Sequence, residues 1–128
     1  MSRFLRDQKG AVTVEFTVLV PFFVLLLVFF ADAAVIYLTH SEMYSVARDA
    51  ARRMSTGELE TMDEVRDYAA QHLHLGQRTY YVSADFGAEK RVTVEIPVVD
   101  AAIFGAWFTP LLGRKLQATA VTHREPKL

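Results

Sequence analysis

The residue least at home in its surroundings is Glu15, an ionisable carboxyl at the head of a long apolar run. Removing a carboxylate from water is costly unless something pairs with it, so such a position is a functional candidate by default. The alternative from position alone is a side chain that snorkels to the lipid headgroups. The four histidines make no comparable case. His72 and His74 are two apart, which on a helix places them on different faces, and His40 and His123 are isolated in sequence. Asp63, Glu64 and Asp67 form an acidic group at the start of an expected helix, where they suit a solvated face and the positive end of the helix dipole. Arg52-Arg53 suits solubility or a subunit contact. The chain has no cysteine, so it has no thiol nucleophile, disulfide framework or Cys-based zinc site. No Gly-rich phosphate loop or nucleophile motif is present. The expectation is a non-enzyme without cofactor or metal and without a small-molecule substrate.

The element that must position Glu15 is the segment beginning at Phe16. Residues 16–31 read FTVLVPFFVLLLVFFA, and thirteen of the sixteen are Phe, Leu or Val. At roughly −0.3 to −0.6 kcal/mol each on an insertion scale, these favour a bilayer by about 4 to 8 kcal/mol. Counting from Ala11, about 20 residues of helix cross the hydrocarbon and bring Asp32 to the far interface, where a charge costs little. Arg3, Arg6 and Lys9 against Asp7 make the leader basic, and the positive-inside rule keeps it cytoplasmic. The overall charge of −1 therefore leaves the rest of the chain mildly acidic, which argues against nucleic acid as a partner. A cleaved secretory signal is the competing reading, because Ala31-Asp32-Ala33 has the look of a small-residue cut site. Against it stand the length of the apolar run and the helical pattern that continues through the supposed cut.

Beyond Ala33 that pattern runs to about Ser55. Met43, Val46, Ala47, Ala50 and Met54 recur at three- and four-residue steps, and Gly57 stops the helix. A second helix is expected over 61–74, with Thr61 and Glu64 as a capping box and Met62, Val65, Tyr68, Ala69 and Leu73 inward, stopped by Gly76. Strands are expected over 79–86, 91–98 and 115–122, with a turn at Gly87-Ala88. In the middle one Val92, Val94, Ile96 and Val98 point one way, Thr93 and Glu95 the other. The fold class is then α+β, with a long transmembrane helix extended as a stalk, a second helix and a small three-stranded antiparallel sheet. The apolar stretch 98–113 is too short to span a bilayer. Either it forms a short helix after Asp100 whose Ile103, Phe104, Trp107 and Phe108 complete the core, the favoured reading for so small a domain, or those four form an exposed patch for a partner subunit or the membrane surface.

The junction Lys9-Gly10-Ala11-Val12-Thr13-Val14-Glu15-Phe16 resembles a prepilin-type leader, a short basic stretch ending in Gly and followed by a helix with Glu as its fifth residue. Together with GAVTVEFTVLVPFFVLLLVFF, the helix containing VARDAARR and the LQATAVTHRE strand, it is similar to the TadE/TadF-like minor pilins of the tight-adherence (Flp, type IV-like) pilus system. The resemblance implies a pilin-like fold and a division into a leader over 1–10, a transmembrane helix over 11–33 and an extracytoplasmic part over 34–128. It also implies cleavage by a prepilin peptidase between Gly10 and Ala11, where Gly lets extended backbone enter a protease site closely. Glu15 beside Phe16 would then pair with the new amine of a neighbouring subunit inside a low-dielectric bundle. The implied partners are other pilin or minor pilin subunits, the peptidase and an inner-membrane assembly platform. The implied place is the bacterial inner membrane, crossed once, or the pilus itself, with a part in adhesion. An uncleaved structural subunit of an envelope secretion complex, or a soluble domain released after Ala33, remains the alternative.

Overall fold

The computed structural model describes residues 8–101, 110 and 113–123, and of residues 8–11 only the backbone. Its dominant element is α1, Gln8–Thr56, a single helix of 49 residues that passes through Pro21 without a break. At about 1.5 Å per residue it is roughly 74 Å long. The Thr17 hydroxyl donates to the Thr13 carbonyl at 2.7 Å, so it stays within its own helix. The helix ends as Gly57 predicts: at φ +83° its N–H donates to the Met54 carbonyl, while Glu58 N–H donates to Arg53 at 2.9 Å. This paired closure is the Schellman arrangement, and it satisfies carbonyls that the last turn leaves open.

The helix α2, Met62–His72, starts on the expected capping box, with Glu64 N–H donating to the Thr61 hydroxyl and Thr61 N–H to the Glu64 carboxylate at 3.0 Å. It ends earlier than expected. Leu73 is already extended, its N–H donating back to Ala69, and the left-handed Gly76 belongs to a turn beyond the helix. Extension of Leu73 lets both Leu73 and Leu75 reach the core, which a continued helix would prevent for Leu75.

Three antiparallel strands follow, β1 (Tyr81–Asp85), β2 (Glu89–Pro97) and β3 (Lys115–His123), in the spatial order β1-β2-β3. A four-residue helical turn, α3 (Val98–Ala101), leaves β2. It begins two residues ahead of Asp100, after which a short helix is expected, and Ile103, Phe104, Trp107 and Phe108 lie outside the described residues. The register places Val82, Val94 and Ala118 in one cross-strand row and Ala84, Val92 and Ala120 in the next, all turned toward the helices. Thr93 faces the other way as expected, yet it too is buried, in mid-sheet with its hydroxyl 3.1 Å from that of Thr119.

The core lies between this sheet and the distal half of α1. Met43, Val46, Ala47, Ala50 and Met54 are all buried, as their spacing requires, and Ala51 joins them. Small side chains face one another here, with Ala47, Ala50 and Ala51 on the helix and Ala118 and Ala120 on the sheet. Helix and sheet can therefore approach closely, and the bulk is supplied by Met43, Ile96 and Val65.

Candidate functional site

From Val12 to Ala31 almost every side chain of α1 is exposed, including Phe16 at 68% and Leu27 at 66%. Such a surface is untenable in water, since monomeric proteins rarely show a contiguous apolar patch beyond a few hundred Å². The helix is long and apolar enough to cross a membrane. Aromatic neighbours along it, Phe22 with Phe23 and Phe29 with Phe30, meet edge to face at about 6 Å.

Gly10 and Ala11 lie in the first turn of α1, with Glu15 and Phe16 one turn further on. Both Glu15 and Phe16 are exposed and stand far along the helix from the domain. Of these four positions helix geometry brings only Ala11 and Glu15, four apart, near one face, and Gly10 and Phe16 fall to either side.

The junction between apolar segment and domain differs from the expectation. Asp32, assigned to a wet membrane interface, is buried to 1% and belongs to the face of α1 that turns toward the domain. That face continues through Ile36, Thr39, Met43, Val46 and Ala50, all buried, with alternating steps of four and three. The domain therefore begins to hold the helix ahead of Ala33, and a cut after Ala33 would sever part of that face.

Three polar side chains within one turn fasten the helix to distant parts of the chain. Thr39 accepts from Arg78 Nη1 at 3.4 Å, His40 Nε2 lies 3.2 Å from the Gln117 carbonyl, and Glu42 accepts from the backbone N–H of His74. His40 is thus not the isolated residue its sequence position suggests. Nor is His123, whose ring lies 3.9 Å from Glu89. These ties escaped the reading of the sequence because each spans 32 residues or more, and single polar residues carry no periodic signal.

Between α1 and α2 runs an open groove of about 560 Å³, bordered by Glu42, Asp49, Tyr68, His72 and His74. His72 Nδ1 is 2.8 Å from the Tyr68 carbonyl and its ring stacks on Tyr68 at 4.1 Å. His74 lies past the helix end, so the two histidines do not share a face or a turn. Among the described residues no group of three His, Asp or Glu side chains is placed to hold a metal ion. Arg53, one of the two adjacent arginines, lies over the Tyr68 ring at 5.0 Å and pairs with Glu58 at 2.8 Å, so it is engaged within the chain.

The carboxylate of Glu64 is held below the usual range, first by the N–H of Glu60 and then by that of Thr61. Its role is that of a helix cap. The acidic group on α2 thus has a structural use at its first turn, and what stands out for function is the bare apolar half of α1.

No curated protein and no solved structure matches the chain. Residues 10–52 match the family model described as TadE-like protein, about a third of the chain. The matched segment starts at Gly10 and takes in Glu15, the apolar run and most of the domain-facing stripe. Through this helix the chain is similar to the TadE-like family.

Proposed function

We propose that this protein is a minor pilin or pseudopilin of a tight-adherence (Flp, type IV-like) pilus, processed by a prepilin peptidase between Gly10 and Ala11. The observation that carries the reading is the division of α1 into two halves. The proximal half, from Val12 to Ala31, is exposed almost throughout, while the distal half is the spine of the domain. A subunit that waits in lipid and is later drawn among other helices needs such an element, because one apolar surface can serve both surroundings in turn. The family match supports the reading, and its start at Gly10 agrees with a leader that ends there.

In this reading residues 1–10 are the leader, 11–33 cross the bacterial inner membrane and 34–128 stand outside the cytoplasm. Cleavage frees the amine of Ala11, and Glu15 of an adjacent subunit neutralises it where helices pack and water is scarce. Phe16, exposed beside Glu15, excludes water from that pair. The partners are other pilin or minor pilin subunits, the peptidase and the inner-membrane assembly platform. The role is assembly, priming or adhesion, without catalysis, cofactor or nucleic acid.

The deciding experiment is the N-terminal sequence and intact mass of the chain isolated from its own host. A start at Ala11 is expected, and a start at Met1 or Ala34 overturns the processing. Glu15→Ala is expected to abolish pilus assembly or co-purification with pilin subunits without loss of membrane insertion. Unchanged assembly would remove the amine–carboxylate pairing from the scheme.

A further inference from the structure

Five aromatic residues of α1 stand seven residues apart: Phe16, Phe23, Phe30, Tyr37 and Tyr44. Each is at least 46% exposed, and Tyr37 reaches 73%. Val20, Leu27, Ala34 and Ser41 lie four residues after the first four, so the stripe advances in steps of four and three over 29 positions. This is the spacing with which one helix packs along another, at 3.5 residues per turn. At about 100° per residue, the stripe runs down the side of α1 roughly opposite Ile36, Thr39, Met43 and Val46, the face the domain covers. The helix therefore has two seams, and among the described residues only one is covered.

We propose that the second seam, Phe16, Phe23, Phe30, Tyr37 and Tyr44, docks against the same seam of a second copy of this chain in a parallel pair. The inference rests on α1 crossing a membrane but not on the pilus assignment. Lipid alone does not account for the stripe. It has no repeat of seven residues to match, and it ends before Tyr44, which stands about 20 Å further along the helix than Phe30. The change from Phe to Tyr between positions 30 and 37 fits a single contact that passes from lipid to water, with rings kept throughout and hydroxyls added where water begins.

The partner must carry an apolar stripe across the same boundary at the same height. A parallel second copy meets that condition by symmetry, with each residue facing its own counterpart. Charge distribution agrees. From Phe16 to Tyr44 no charged residue lies on the stripe, and the exposed Arg48, four residues past Tyr44, marks its end. Asp32 and Glu42 both sit on the domain side, buried or tied to His74. Ala34 and Ser41 between the rings leave room for close approach. Each ring can bury roughly 150–250 Å², so five rings in each of two copies, about half or more exposed, provide on the order of 1,000 Å², the scale of a specific interface.

The absence of cysteine makes the test direct. The purified full chain is placed in phosphatidylcholine–phosphatidylglycerol vesicles as Ser41→Cys, between Tyr37 and Tyr44, or as Ser83→Cys, exposed on the outer face of the sheet. Ser41→Cys is expected to form disulfide-linked dimers on mild oxidation at least tenfold faster than Ser83→Cys. Adding Tyr37→Ser and Tyr44→Ser is expected to slow that linkage about tenfold while hydrogen-exchange protection of β2 and β3 is kept. Equal rates for the two cysteines, or an undiminished rate after the tyrosine changes, would overturn the proposal. Because no other protein is present in the vesicles, the outcome is independent of processing and of pilus assembly.

Discussion

The His40 imidazole and the Gln117 carbonyl meet at 3.2 Å, across 77 residues of sequence. A carbonyl can only accept, so Nε2 is the donor and the neutral ring carries its proton there. The bond fastens α1 to the backbone of β3, which is bonded to β2 on its other side.

Replacing His40 by Phe keeps the ring and removes the donor. A stability loss of about 0.5–1.5 kcal/mol is expected, the net worth of an ordinary hydrogen bond. Hydrogen exchange of β3 amides in the detergent-solubilised chain measures it, and protection should fall there more than in α2.

The cap of α2 makes a pH-dependent contribution whose sign is fixed. Glu64 is lowered from an ordinary value of 4.5 by two backbone N–H bonds present only in the folded chain. The stabilisation is therefore complete above that ordinary value and is lost as pH falls through the lower folded value. Amide exchange at the start of α2 should quicken on acidification, and Glu64→Gln should flatten that dependence. Thr61→Ala, which removes the other half of the box, should cost about 1 kcal/mol at any pH.

Met43 is fully buried where α1 meets the sheet. Met43→Ala should cost about 2–5 kcal/mol through lost transfer energy and the cavity left behind. Urea titration of the solubilised chain, followed at the amides of Val94 and Ala118, provides the readout. The apolar half of α1 should remain helical throughout, because its surroundings are micelle and not domain.

At Gly57 the demand is conformational. An added Cβ would meet only the Glu60 carboxylate at 3.9 Å, an ordinary contact, but φ is +83°. Gly57→Ala should cost about 1–2 kcal/mol, and Gly57→Asn less, since Asn tolerates the left-handed region. A cost for Ala no greater than for Asn would mean that the turn relaxes to another conformation.

The features legible in the residues were those that short-range physics specifies. A run of Phe, Leu and Val must leave water, a Thr three residues before a Glu caps a helix, and alternating valines make a strand with one inner face. Each needs only neighbours within a turn or a pleat, so α1, α2 and the three strands were readable almost to their ends. The long-range pairs were decided only in the folded chain: His40 with Gln117, Glu42 with His74, Thr39 with Arg78. So was the end of α2 at His72, where placing Leu75 in the core outweighs another turn of helix. The burial of Asp32 belongs here as well. Sequence alone places that residue along the helix, but which side of the helix the domain will cover depends on where the sheet docks. Glu15 remains as the residues present it, a carboxyl at the head of an apolar helix, because among the described residues no other element reaches that far along α1 to give it another use.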